Sequence, residues 1–273
     1  MRLRPYRAIL SARFRMLLQY RAAAIAGVWT QIFFGLALIM IYEAFYASTT
    51  VADQPMTMVQ IASYVWLGQA LLAMMPWGAD SEIRAMVRSG AVAYELCRPV
   101  DLYGLWFSRA FAQRTAPTVL RAVPMTIFAV WGLPLLGLPE WQLEPPTAAA
   151  GAGFACTLVG ALVLACAMTT LINISLLWTI SGEGIVMIST TLASFFSGMI
   201  VPLPLFPEWA QTVLGWLPFA GIADLPFRVY NGDIPLADLG LVLARQLGWT
   251  LVLVVLGRRL LARGMRHLVV QGG

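Results

Sequence analysis

Apolar residues run along the chain in long blocks, and the polar positions between them gather in a few short clusters. Six blocks stand out, at roughly 22–45, 57–79, 105–137, 147–177, 185–203 and 238–257. A helix needs about 20 mostly apolar residues to cross a bilayer core of ~30 Å, so each block is long enough to cross, some only with tilt. The fifth is the shortest. The third carries Arg109, Arg114 and Arg121 in its first half, which puts the start of its lipid-embedded part near Thr115. Ahead of the first block, Arg2, Arg4, Arg7, Arg13, Arg15 and Arg21 interleave with Leu3, Ile9, Leu10, Phe14, Leu17 and Leu18. That spacing predicts an amphipathic helix over 1–21 lying on a membrane surface, Arg toward the headgroups.

Two connections are longer than simple turns. The first covers 80–104. Asp80 or Ser81 suits a helix start, Gly90 a helix stop, and Pro99 closes a second short helical stretch through Leu96. One or two short amphipathic helices are therefore expected across the ends of the spans. The second, 200–237, is too apolar for a free loop and too broken by Pro202, Pro204, Pro207 and Pro218 to span. Pro207 suits a first helical turn, and Trp209, Val213, Trp216 and Leu217 give that helix one apolar face. The stretch should lie at or dip into the interface, its Trp residues at headgroup depth, or be shielded by protein.

Composition agrees with the pattern. Of 273 residues, 60% are hydrophobic and 11% charged, with a mean hydropathy of +0.77; soluble chains carry roughly 25% charged residues. A water-soluble enzyme, a DNA-binding protein and a disordered tail are excluded. All 18 basic residues are Arg, and their excess follows topology rather than nucleic acid. With a cytoplasmic N-terminus, 16 Arg fall inside and only Arg228 and Arg245 outside or at the outer boundary, while eight of the 13 acids fall outside: Glu43, Asp53, Glu140, Glu144, Glu208, Asp224, Asp233 and Asp238. By the positive-inside rule both termini are cytoplasmic. Cys97, Cys156 and Cys166 form no C-x-x-C pair and no evident disulfide framework. No cleavable signal is visible ahead of the first block.

Chemistry-bearing motifs are scarce. One His, His267, cannot build a protease or metal centre alone and reads as a surface side chain. Ser197-Gly198 has no base on the other spans. No phosphate loop is possible without Lys, and Gly151 with Gly153 reads as packing rather than nucleotide binding. The fourth block repeats small residues every four positions: Ala148, Ala152, Cys156 and Gly160 in one row, Ala149, Gly153, Thr157, Ala161, Ala165 and Thr169 in another. The fifth does so with Ser189, Ala193 and Ser197 beside Thr190, Ser194 and Gly198. Such rows let helix backbones approach closely, either within the chain or, on the fifth span, against a partner subunit or along a pathway. Glu183, in Ser181-Gly182-Glu183-Gly184, reads as the inner turn between the fourth and fifth spans. Glu43, Arg245 and Asp238 read as interfacial anchors.

This layout resembles the membrane-spanning permease subunits of ABC transporters of type-2 (ABC-2) exporter architecture. The resemblance covers nearly the whole chain. It rests on the Arg-rich N-terminus, the six spans, EIRAMVRSGAVAYELCRPVD after the second span, and FFSGMIVPLPLFPEWAQTVLGWLPF followed by Tyr230-Asn231-Gly232. The run through Arg88, Gly90, Leu96, Arg98 and Pro99 is similar to that of a bacterial subgroup. The resemblance implies an all-α integral membrane protein in a bacterial plasma membrane. Its single transmembrane domain, 1–273, would have six helices, an interfacial N-terminal helix (1–21), a cytoplasmic coupling region (80–104) and an outer re-entrant segment (200–237). Glu82, Arg84, Arg88, Gly90, Tyr94, Leu96, Arg98 and Pro99 would form the surface that docks on a separate ATPase subunit. The second and fifth spans would face the route, and Pro202, Pro204, Pro207 and Trp209 would belong to its outer gate. Two permeases, identical or related, would assemble with two ATPases, which would bind ATP and Mg; this chain would hold no cofactor, catalyse no reaction and bind no nucleic acid. The rival expectation is a proton-coupled secondary transporter, with Glu183 or Arg245 as its handle.

Overall fold

The computed structural model describes residues 4–19, 21–48, 54–179 and 182–267. Arg2, Leu3, Asp53 and Ser181, named above, lie outside them. The described residues are helical and contain no strand. The helices are α1 (Arg4–Leu18), α2 (Arg21–Ala47), α3 (Met58–Leu71), α4 (Ser81–Ser89), α5 (Ala93–Leu96), α6 (Leu102–Ile127), α7 (Leu133–Leu135), α8 (Ala148–Ser175), α9 (Glu183–Phe196), α10 (Glu208–Trp216), α11 (Asp224–Tyr230) and α12 (Leu239–Gly264).

Among the described residues four helical stretches are long and apolar enough to cross a membrane: Ala22–Ala47, Leu102–Leu135, Ala148–Ser175 and Leu236–Gly264. The second and fifth blocks give shorter helices. α3 starts on a capping box, Thr57 with Gln60, and ends early. Pro76 explains the end: the residue before a proline is driven out of the helical region, and Met75 is extended at ψ 146°. The carbonyls released there find donors elsewhere. Arg114 of α6 donates to Met75 O at 2.5 Å and Gly78 O at 3.3 Å, and the Thr190 hydroxyl of α9 donates to Trp77 O at 3.0 Å. α9 is 14 residues long, about 21 Å at 1.5 Å per residue. It stops where Gly198 takes φ +81°; a Cβ there would strike the Tyr64 hydroxyl.

α8 is the hub, packed against α6, α12 and α11. Its second small-residue row turns inward after Ala149, which is exposed: Gly153, Thr157, Ala161, Ala165 and Thr169 are buried. The first row divides. Gly160 is buried against Gln246 of α12, whereas Ala148, Ala152 and Cys156 are exposed. Gln246 uses that space to donate to Thr157 O at 2.9 Å and Gly221 O at 2.8 Å, joining α12, α8 and the approach to α11.

α6 departs most from expectation. It runs unbroken from Leu102, carries Pro117 and Pro124 inside, and passes into a wider π turn at Phe128–Gly132. A proline in a helix removes one ladder bond, and such bulges accommodate the offset; Pro134, just past the π turn, has no N–H to give to Ala129 O, which accepts instead from Leu143 N at 3.0 Å. Arg109 and Arg114 do not face headgroups, being 8% and 6% exposed. They turn inward because the fold supplies them with partners.

Candidate functional site

Both terminal helices meet α4 and α5 at one end of the bundle. α1 has no buried residue yet is tied down by polar bonds. The Tyr6 hydroxyl accepts from Asp101 N at 2.9 Å, and Arg13 Nη1 donates to Glu82 Oε1 at 2.6 Å. The same pairing lowers the Glu82 carboxyl below its ordinary range and raises the Arg13 guanidinium. Asp101 also caps α6 through Gly104 N at 2.9 Å and accepts from Arg258 of α12 at 3.3 Å.

α4 begins on Asp80, whose carboxylate accepts from Glu82 N at 2.8 Å and Ile83 N at 3.4 Å. Its own N–H donates to Asn173 Oδ1 of α8 at 2.8 Å, so the helix start is fixed to the hub. Gly90 ends α4 at φ +74°, and α5 follows after a tight turn. The anchor of α5 is Glu95, only 3% exposed. It accepts from Trp106 Nε1 at 2.8 Å and Arg109 Nη2 at 2.5 Å. With Glu95 pulled in, its neighbours point out: Tyr94 is 78% and Leu96 51% exposed, and Cys97, Arg98 and Pro99 are exposed beside them.

The residues expected to form one surface therefore divide. Tyr94, Leu96, Arg98, Pro99 and Arg88 are presented outward, and Gly90 makes the turn between the two short helices. Glu82 is engaged with Arg13, and Arg84 is half-buried. Arg88 lies 3.9 Å from Glu183 at the start of α9, where Gly182 makes the expected turn at φ +67°. Sequence reasoning missed Glu95, Trp106 and Arg109. The signal was there in part: a charge inside an apolar block needs a partner, and two acids, Glu95 and Asp101, stand within fourteen positions before Arg109.

The opposite end holds a second polar knot. Asp224 of α11, 1% exposed, accepts from the Tyr64 hydroxyl of α3 at 2.8 Å and donates its N–H to Ser197 O at 3.0 Å. Arg228 stands 3.8 Å from its carboxylate. Burial pushes this carboxyl up to about 6 against the opposing pull of Arg228 and Tyr64. Gln60 binds the Asp233 carboxylate and accepts through its carbonyl from Asn231 at 3.2 Å, so α3 is stitched to α11 twice. Of the small residues on α9, Ala193, Ser194, Ser197 and Gly198 are buried within the chain, and Ser189 is half-buried. The outward face of α9 is Met187, Ile188 and Phe195 instead.

Next to this knot, an apolar cleft of about 800 Å³ opens between the end of α2 and the proline-rich stretch, lined by Ile41, Tyr42, Pro204, Phe206 and Gln211 among others. Tyr42 donates to Ile200 O at 3.1 Å across it. Pro202 is buried behind the cleft and Pro207 precedes α10. α10 turns Ala210 and Leu214 inward and leaves Trp209, Val213 and Trp216 exposed at 74%, 56% and 61%. Arg245 lies over the Trp216 ring, 4.4 Å from its centre. Among the described residues no group of three His, Cys, Asp or Glu side chains converges.

Residues 32–272 match the family described as ABC-2 family transporter protein. No curated protein matches the chain.

Proposed function

The chain belongs to the ABC-2 family of transporter membrane proteins, and from that premise we propose that it is the permease subunit of an ATP-driven exporter. It forms half of the translocation pathway and is driven by a separate ATPase that binds ATP and Mg. The observation that carries the coupling assignment is the α4–α5 unit, which is rigid inside and sticky outside. Asp80–Asn173 and Glu95–Arg109 fix it to α8 and α6, while Tyr94, Leu96 and Arg98 stand exposed. A lever must be rigid to pass on a push, and an exposed aromatic beside Arg is the composition of a docking hot spot.

In this reading six elements cross the membrane. The four long helices do so alone. α3 gains its missing length from Leu72–Ala79 and α9 from the segment after Gly198, where the irregular backbone is shielded by protein as it must be at membrane depth. The α4–α5 end is cytoplasmic, together with both termini, in a bacterial plasma membrane. The α11 knot and the apolar cleft lie toward the outer side, where Pro202, Pro204, Pro207 and Trp209 belong to the outer gate. A second permease, identical or related, completes the pathway, with the outward face of α9 at Met187, Ile188 and Phe195 bordering it.

The test is co-purification from the native membrane under mild detergent. The wild-type chain should carry a stoichiometric ATPase. Tyr94→Ala combined with Arg98→Glu should release that ATPase while the permease remains folded and membrane-bound. A wild-type chain that purifies alone, or an ATPase retained by the double variant, would overturn the assignment.

A further inference from the structure

α6 carries three arginines into the bundle, and two of them are provided for by the chain itself. Arg109 has Glu95; Arg114 has two backbone carbonyls and the Thr169 hydroxyl. Arg121 has neither hydrogen bond nor ion pair among the described residues, and its buried Nε is unpartnered. Its guanidinium lies on α2 at Gly27, where a Cβ would come within 2.8 Å of its central carbon. One turn further along α2 is Gln31, 3% exposed, with neither side-chain polar atom bonded. A half-buried guanidinium and a buried amide, both without partners between two apolar helices, are costly unless a ligand satisfies them.

Depth identifies the ligand. Gly27 is six residues inside the start of α2, about 9 Å along the axis. A headgroup layer extends roughly 5–8 Å beyond the hydrocarbon core on each side, so Arg121 meets α2 near the headgroup boundary. Around that point the helices turn large apolar side chains outward: Ile25 and Trp29 on α2, Val119 and Val123 on α6. A guanidinium beside such a surface suits a phosphate that carries acyl chains. We infer that Arg121, lying against Gly27 of α2 with the unpartnered Gln31 buried one turn beyond, binds the phosphate headgroup of an anionic lipid from the cytoplasmic leaflet. Gly27 is the seat that keeps the guanidinium against α2. The leaflet follows from the membrane orientation proposed above; the binding chemistry does not depend on it.

Native mass spectrometry of the purified full chain, titrated separately with phosphatidylglycerol and phosphatidylcholine, tests this. Wild type should retain phosphatidylglycerol about tenfold better than phosphatidylcholine, the scale of one charge-assisted contact. Arg121→Gln should abolish the preference, Arg121→Lys should keep most of it, and Arg266→Gln, an exposed arginine elsewhere, should leave it unchanged. Should Arg121→Gln not fold, as judged by its elution on size exclusion, Gly27→Leu decides: it fills the seat, keeps the charge and should also lower the preference. An unchanged preference in Arg121→Gln, or in Gly27→Leu where only that variant folds, overturns the site. Displacement of the lipid by millimolar inorganic phosphate makes it a site for free anions instead and overturns the lipid assignment. No ATPase is present in this assay, so its failure is distinct from a failed co-purification.

Discussion

Glu95 and Arg109 face each other at 2.5 Å with almost no exposure, and a buried ion pair of this kind is most informative when it is cut. Removing one partner leaves the other charged and desolvated, a loss of about 3–5 kcal/mol. Glu95→Ala should lower the thermal unfolding midpoint sharply in detergent, and adding Arg109→Met should recover part of the loss; an equal loss in the double variant would mean that packing, not charge, is at stake. Asp224 makes the opposite case. Its folded-state carboxyl is raised to about 6, so its contribution to stability is greatest when it is protonated and is lost as pH rises through that value. Thermal stability should therefore gain as pH falls from 7 to 5, a window above the ordinary range of Glu82, and Asp224→Asn should flatten that gain. An unaltered profile in Asp224→Asn would place the titration elsewhere. At this scale the sequence showed the special backbone positions better than the buried polar pairs. Gly90 and Gly182 are legible as turns because positive φ favours glycine. Asp224 with Tyr64 is not, since 160 positions separate them and no local pattern links them.

The two short helices α4 and α5 were legible as elements. Asp80 as a cap, Gly90 as a stop and Pro99 as a closing residue have local physical causes, and the structure places helices at Ser81–Ser89 and Ala93–Leu96. The lengths of α3 and α9 were not, because an apolar run looks the same whether its backbone is helical or extended. Pro76 and Gly198 carried the missing signal. The inward arginines of α6 were read as the boundary of a span, since sequence reports that a charge is present but not where its partner lies. Gly90 offers a test at this scale. A side chain there would meet nothing within 4 Å, so Gly90→Val acts only through backbone strain, about 1–3 kcal/mol. The variant should stay folded while the α4–α5 turn is distorted, with ATPase recovery falling much further than the unfolding midpoint. Parallel falls in both would assign Gly90 to stability alone.

Across the whole molecule, the asymmetry of charge and the asymmetry of structure coincide. The Arg-rich end gathers α1, α4, α5 and the end of α12 into one bonded platform, and the opposite end carries the acidic knot, the tryptophan face of α10 and the apolar cleft. The all-helical membrane class was legible because burial in lipid leaves few alternatives, and the family followed from the order of elements. Which faces pack inward was only half legible, as the divided small-residue rows of α8 show. The central claim is that the α4–α5 platform is cytoplasmic and covered by an ATPase, and Cys97 reports on it directly. It is exposed on α5's outer edge, Cys166 is buried, and Cys156, exposed on α8, can be replaced by Ala. With a membrane-impermeant maleimide, Cys97 should react in inside-out vesicles stripped of ATPase, stay silent in right-side-out vesicles, and be protected when the ATPase is present. Labelling from the outer face, or labelling indifferent to the ATPase, would contradict the account.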